Sequence, residues 1–347
     1  MKPIRVMLAT GGTGGHVFPA IATAYELSKQ DVEVFFATDI RGEKYLINKS
    51  FGYKIVNSAS PSGGIVKKIK FAFKSFVGII QALILLKKTK PQIVVGFGGY
   101  PSFPTIIAAK ILGKKIILHE QNSVLGRSNA FLLKYARILA TSFEKTKFAT
   151  NGINTGNPVR QEIYTQPYPE FSGKINVLIT GGSQGAKSFS KFFPEVFDGI
   201  ENIFVTQQTK DEDIESVKNR YARMNIACEL KPFFDDIDKK ISEAHLVICR
   251  SGSSTIAEVT AIGRPAIFIP LPSSADNHQL LNAQAVADTK GAWVFEEKDF
   301  DTNSLNRLLR EILGNYELLP KAAENIKKFA KPDAAMNLAK LIVDAIV

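Results

Sequence analysis

The chain has 347 residues, 45% of them hydrophobic and 22% charged, with a formal net charge of +11. This composition excludes intrinsic disorder, and the length exceeds what one hydrophobic core normally serves, so two domains are expected. The positive charge asks for an anionic partner, and nucleic acid is disfavoured because no aromatic-interleaved basic stripe and no RRM, KH or zinc-finger spacing is visible.

The opening residues, MKPIRVMLAT, run directly into a strand, so no secretion signal is expected and the protein is placed in the cytoplasm. Through the first half IRVMLA, VEVFFAT, KIVN, QIVVG, KIILHE and RILATS alternate with helical patterns; INVLIT, NIFVTQ, IACEL, HLVICR, PAIFIP and GAWVF repeat the rhythm in the second. Continuous apolar strands separated by helices indicate parallel sheets covered on both faces. The expectation is two Rossmann-like, doubly wound α/β domains facing a central cleft, residues 1–160 and 161–330. The tail, 331–347, follows a KPD break, and its helix could return to the first domain. Between the domains, GNPVRQEIYTQPYPEFSGK at 156–174 has a linker composition. Cys228 and Cys249 lie in apolar runs without CxxC spacing, which points to packing in a reducing compartment. The apolar run FVGIIQALILL, 76–86, has about half the length of a membrane-crossing helix, so no transmembrane segment is expected.

Two loops say nearly the same thing. LATGGTGGH at 8–16 and LITGGSQGA at 178–186 each follow a strand and precede a helix, whose glycines would let the backbone turn and meet an oxyanion with unpaired amides. The first helix is expected from about Val17. Either loop alone could be a plain tight turn, but the repetition at equivalent places favours ligand binding. Neither has the G-x-G-x-x-G spacing of a dinucleotide site, so Asp39 is expected to cap a strand end or pair with Arg41. His16, at a helix start, should be neutral and able to accept a proton; its alternative role is an orienting hydrogen bond. Glu120 is a rival base, or a structural carboxylate pairing with a loop amide. In CRSGSSTIAEVTAIGRP, 249–265, Ser253, Ser254 and Thr255 could cap a helix or donate to a phosphate, and Glu258 could complete a capping box or accept two ribose hydroxyls. Gln279 and Asn282 offer amides suited to sugar hydroxyls.

Taken together, GGTGGHVFPA, GGYPSFP, HEQN, GNPVR, GGSQGA, CRSGSST and NHQLLNA, in this order, resemble the bacterial peptidoglycan N-acetylglucosaminyltransferase family. The resemblance implies the two-Rossmann architecture called GT-B and an inverting transfer of N-acetylglucosamine from UDP-N-acetylglucosamine to the 4-hydroxyl of undecaprenyl-pyrophosphoryl-N-acetylmuramyl-pentapeptide, a step of cell-wall synthesis with a bearing on cell shape and division. It implies that Thr13, Gly14, Gly15, Asn122, Arg160 and Ser183 touch the sugar nucleotide. Ser253, Ser254, Thr255, Ile256, Ala257 and Glu258 would cradle phosphate and ribose, Gln279 the sugar, and Phe234 would sit at the uracil pocket. His16 matches the family's glycine-loop histidine, and it or Glu120 would take the acceptor's proton; no metal and no cofactor is implied. Phe103 stands where many members have glycine, which touches the acceptor contacts, and Asn277 stands where an acid is common, which touches a cap.

A lipid-linked acceptor fits VKKIKFAFKSFVGIIQALILLKK at 66–88. Ile69, Phe73, Phe76, Ile80 and Leu83 follow helical spacing, with Lys70, Lys74, Gln81 and Lys88 on another stripe. The expectation is a helix whose inner face packs while phenylalanines and lysines, Lys67 and Lys68 included, meet an anionic membrane. That places the protein peripherally on the cytoplasmic face of the plasma membrane, with cell-envelope synthesis proteins as further partners and no nucleic acid. The rivals are a UDP-N-acetylglucosamine 2-epimerase, a glycosyltransferase with a diacylglycerol acceptor, and a non-catalytic sugar-nucleotide sensor.

Overall fold

The computed structural model describes residues 3–60, 64–182, 187–299, 301–315 and 317–346. The chain forms two compact units, Met1–Gln161 with Lys331–Val347, and Glu162–Ala330. The first is built on β1 (Ile4–Ala9), β2 (Val32–Thr38), β3 (Gly52–Ile55), β4 (Ile93–Gly96), β5 (Lys115–Glu120), β6 (Ile138–Thr141) and β7 (Ile153–Asn154), in the order β3-β2-β1-β4-β5-β6-β7. The second is built on β8 (Ile175–Thr180), β9 (Ile203–Gln208), β10 (Ala227–Lys231), β11 (Leu246–Cys249), β12 (Ala266–Phe268) and β13 (Ala292–Val294), in the order β10-β9-β8-β11-β12-β13. Neighbouring strands run parallel in both sheets.

The unbroken apolar runs have a simple cause. In β1, Val6 and Leu8 pack on one face with Val95 and Ile117, while Met7 and Ala9 pack on the other with Val94 and Ile116. Both faces are covered, so alternation disappears. Strand order reverses between β1 and β4 in the first sheet and between β8 and β11 in the second. Helices leave the sheet in opposite directions at such a point, opening a crevice at the carboxyl ends of the strands. The two glycine loops follow β1 and β8, so each stands at its own sheet's reversal point.

The chain's end belongs to the first unit. Leu338, Ala339 and Ile342, on the helix Ala334–Asp344, are completely buried against Val17, Ala20, Ile21 and Ala24 of the helix Gly14–Ser28. The stretch 156–174 is not a loose tether, because each half is tied to its own unit. At Gly156 an added Cβ would stand 2.5 Å from Lys331 Cβ, and the buried Arg264 guanidinium donates to the carbonyls of Gln166 and Pro167. Burial lowers the pKa of Arg264 to about 10.

The basic apolar segment forms one helix, Ile65–Thr89, of 25 residues. Its stretch Ile69–Thr89 is the one among the described residues long and apolar enough to cross a membrane, so the run 76–86 understates it: Lys70 and Lys74 interrupt the apolar sequence without interrupting the helix. This helix is nevertheless half-packed. Ala82 and Leu86 are fully buried in the sheet-facing cluster, with Ile79 and Leu83 against it. Ile69, Phe73, Phe76, Ile80 and Ile84 are exposed. Leu83, placed by helical spacing on the same stripe as Ile69, Phe73, Phe76 and Ile80, packs against the buried cluster, and Ile84 stands exposed beside that row. Phe103 packs between Phe71 and Phe131.

Candidate active site

In the first unit the site is assembled from the loops after β1, β4 and β5. The helix after β1 begins at Gly14 rather than near Val17, with Thr13 at its N-cap, so Gly14, Gly15 and His16 form its first turn. Gly11 has φ +152, and an added Cβ would stand 2.6 Å from Asp39 Oδ1. The Asp39 carboxylate accepts from Gly12 N at 2.7 Å, from Gly42 N at 3.0 Å and from Arg41 at 2.9 Å. Asp39 therefore caps and pairs as expected, and also fixes the glycine loop. Thr10 Oγ1 donates to the His16 carbonyl at 2.8 Å, closing the turn.

After β4, Gly98 and Gly99 take φ +75 and +68, and the Gly99 carbonyl accepts from Ser102 and Ser128, each at 3.0 Å. A Cβ on Gly99 would lie 3.1 Å from His16 Nε2, so only glycine lets this turn run alongside the ring. His16 Nδ1 stands 3.1 Å from Gln121 Oε1. Glu120 is buried, and its two oxygens accept from Asn122 N (3.0 Å), Asn122 Nδ2 (3.2 Å), Gly126 N (2.9 Å) and Asn129 Nδ2 (2.8 Å). It organises the loop that carries Asn122. His119 lies fully buried behind it, and burial lowers its pKa to about 4. Arg160, from the stretch after β7, rests its guanidinium 5.9 Å from the ring centre of Phe18, whose edge covers Gly14.

The second unit repeats the plan. Gly181 N donates to Gln208 Oε1 (3.2 Å) and Gly182 N to Thr180 Oγ1 (3.1 Å), while Gln208 Nε2 donates to the Pro232 carbonyl (3.1 Å). Gln208 thereby ties the glycine loop to the turn that carries the buried Phe234. The helix Ser253–Ile262 starts from Gly252, which has no side chain to cap with, so Ser253, Ser254 and Thr255 lie in its first turn and Ile256 and Ala257 lead to Glu258 on the next. A Cβ on Gly182 would be 3.3 Å from Thr255 Oγ1, so the glycine loop abuts this turn. Ser251 Oγ donates to the Gln279 carbonyl (2.8 Å), and Gln279 Oε1 accepts from Leu271 N (2.9 Å), which orients its amide group. Ser183 lies outside the described residues.

Comparison with known proteins now decides the family. Residues 6–141 match the Glycosyltransferase family 28 N-terminal domain and residues 176–338 match the family's C-terminal domain. A UDP-N-acetylglucosamine–N-acetylmuramyl-(pentapeptide) pyrophosphoryl-undecaprenol N-acetylglucosamine transferase of Wolbachia pipientis from Culex pipiens is 43% identical, covering 94% of each chain. The protein of that name from Rhodospirillum centenum is 37% identical over 99% of this chain and 95% of its own. The chain belongs to this transferase family. The crystal structure of Acinetobacter baumannii MurG superposes with a TM-score of 0.84 at 32% identity, covering 99% of this chain and 100% of that one.

For this family 28 glycosyltransferase of GT-B fold, the described residues expected at the site fall into two groups, one in each unit. Thr13, Gly14, Gly15, His16, Glu120, Asn122 and Arg160 lie in the first unit; Phe234, Ser253–Glu258 and Gln279 lie in the second. Asn282 differs from expectation. It is completely buried and donates to the Ser251 carbonyl at 3.2 Å, because its place on the helix His278–Ala287 faces the core, so it supports the loop. Asn277 adopts φ +55 just before that helix, a left-handed conformation that asparagine tolerates well. Missing from the sequence analysis are Gln121, Asn129, Gln208 and the pair of buried Arg250 and half-buried Glu297 (2.5 Å), whose arginine also donates to Ser188 Oγ and to the Ile269 and Pro270 carbonyls. Gln121 and Arg250 lie beside motif residues and Gln208 ends a strand, the one signal by which these three could have been found; Asn129 and Glu297 carry no such signal.

Proposed function

We propose that the chain transfers N-acetylglucosamine from UDP-N-acetylglucosamine to the 4-hydroxyl of the muramyl sugar in undecaprenyl-pyrophosphoryl-N-acetylmuramyl-pentapeptide. The observation that carries this is 37–43% identity, over 94–99% of the chain, to enzymes named for that transfer. The donor belongs to the second unit. Its diphosphate is met by Ser183 and by the amides and hydroxyls at the first turn of the helix Ser253–Ile262, where backbone N–H groups and the helix dipole favour negative charge. Ile256 and Ala257 contribute backbone to this cradle, Glu258 accepts the ribose hydroxyls, Phe234 borders the uracil, and the oriented amide of Gln279 holds the sugar. The first unit takes the acceptor and supplies the base. Its glycine loop, Thr13 to Gly15, and Arg160 meet phosphate charge, and Asn122 offers an amide to sugar hydroxyls.

His16 is the base. Glu120 already receives four hydrogen bonds, so its work is to shape the loop that presents Asn122. The acceptor's O4 bonds to the anomeric carbon on the face opposite UDP, its proton passes to His16, and the bond from that carbon to the diphosphate oxygen breaks with its electron pair leaving on UDP. One displacement inverts the α-linked donor to a β-1,4 disaccharide.

The exposed row Ile69, Phe73, Phe76, Ile80 and Ile84, with Lys70 alongside, suits an anionic lipid surface and would hold the enzyme peripherally where its acceptor is anchored. The test is transfer of labelled sugar from the UDP donor to a short-chain analogue of the lipid-linked acceptor. Wild type should form the disaccharide, and His16→Ala should lose about 10²–10⁴-fold in turnover with donor binding retained. Donor binding without any transfer by the wild type would overturn the assignment.

A further inference from the structure

The loop after β5 contributes more than Asn122, because its buried side chains form a chain of hydrogen bonds that ends on the proposed base. We propose that Gln121 and His119 act as positioning residues that set the tautomer of His16, with the proton on Nδ1 and the lone pair on Nε2. The inference rests on His16 as the base and deepens that assignment.

The argument starts from a group with no freedom. The Gly156 carbonyl oxygen can only accept, and His119 Nε2 lies 3.1 Å from it, so that nitrogen carries a hydrogen. The ring is wholly buried and neutral, its pKa lowered to about 4, so its Nδ1 bears the lone pair. Gln121 Nε2 stands 3.0 Å from this Nδ1 and donates to it. The same NH2 group lies 3.4 Å from the His119 carbonyl, another pure acceptor. Turning the amide over would set oxygen against oxygen there and against a lone pair at Nδ1, so the orientation of Gln121 is determined twice. Its Oε1 then faces His16 Nδ1 at 3.1 Å. An amide oxygen only accepts, so His16 Nδ1 must be the N–H. In a neutral imidazole the lone pair is then at Nε2, the edge of the ring beside which the Gly99 turn passes without a side chain.

This arrangement selects the tautomer that a histidine in water disfavours, and the selection is made by a glutamine. When Nε2 takes the acceptor's proton, Nδ1–H stays bound to Gln121 Oε1. No proton travels further, because the amide has no site that could relay it. The orienting group is neutral, so it fixes direction without adding the charge that a carboxylate in its place would bring.

The experiment is nitrogen NMR of the full chain labelled at histidine, with His16 assigned by its loss in His16→Ala. The expected wild-type result is a protonated, pyrrole-like Nδ1 and an unprotonated, pyridine-like Nε2. In Gln121→Met the His16 signals should move to the opposite or a mixed tautomer, with kcat lower by about 10–100-fold and the donor KM unchanged. His119→Asn, whose amide oxygen can replace the Nδ1 acceptor, should keep the His16 tautomer and most of the turnover, while His119→Leu should behave like Gln121→Met. An Nε2–H tautomer in wild-type His16, or an unmoved tautomer in Gln121→Met, overturns the proposal. If His16→Ala keeps full turnover while the wild type shows Nδ1–H, the base assignment falls and the tautomer assignment stands.

Discussion

His119 gives the first unit an acid sensitivity that can be calculated. Its ring is enclosed by Phe97, Gln121, Ser142 and the Gly156 carbonyl. Burial lowers its pKa from 6.5 to about 4; the Gly156 hydrogen bond opposes this and nearby His16 adds to it. The unfolded chain binds the same proton with ordinary affinity. Between those two values unfolding therefore takes up a proton, so the contribution is complete above pH 6.5 and is lost as pH falls toward about 4. Linkage with these pKa values gives a loss on the order of 2–3 kcal/mol between about pH 7.5 and about pH 4.5. Urea unfolding would be measured at both pH values for wild type and His119→Asn, following the first unit by hydrogen exchange of peptides from β1 and β5. Other titrating groups are common to both proteins and cancel in the comparison. Wild type should lose on the order of 2–3 kcal/mol more than the variant, whatever the variant's stability at neutral pH. Equal losses would refute a neutral, buried His119.

Three more outcomes follow from packing and polarity. Leu338→Ala should cost the first unit about 2–5 kcal/mol in denaturant unfolding, since a buried leucine on the returning helix leaves a cavity against the helix Gly14–Ser28; a loss near zero would mean the helix is not part of that core. Glu258→Ala should raise the donor KM by about 10–100-fold, the scale of lost hydrogen bonds to a charged group, and a 2′,3′-dideoxyribose donor should show no such difference between the two proteins. Phe73→Ser with Phe76→Ser should weaken binding to anionic vesicles by about tenfold or more, as two exposed rings no longer enter the interface; unchanged partitioning in a sedimentation assay would remove the helix Ile65–Thr89 from the membrane contact.

The sequence by itself determined the parallel α/β class, the two-domain organisation and the two glycine loops, because these are written in local signals: runs of β-branched residues, helical spacing, and glycine where a side chain cannot fit. It also marked His16, Glu258 and Gln279 through short motifs. What it left open are matters of which distant groups meet. The sequence shows Glu120 only as a carboxylate at a strand end; that Asn122, Gly126 and Asn129 donate to it is decided by the tertiary structure. Asn282 and Gln279 stand three residues apart on one helix, yet one faces the core and the other the loop at Leu271. Leu83 packs and its neighbour Ile84 is exposed because the packed face is chosen by the neighbouring helix Gly99–Ile111 and the sheet, which the local repeat alone does not specify. Gln121 had no signal of its own: an amide has no charge to betray it, and its role exists only because folding brings the His16 ring, 105 positions away in sequence, to its oxygen and the Gly156 carbonyl to His119.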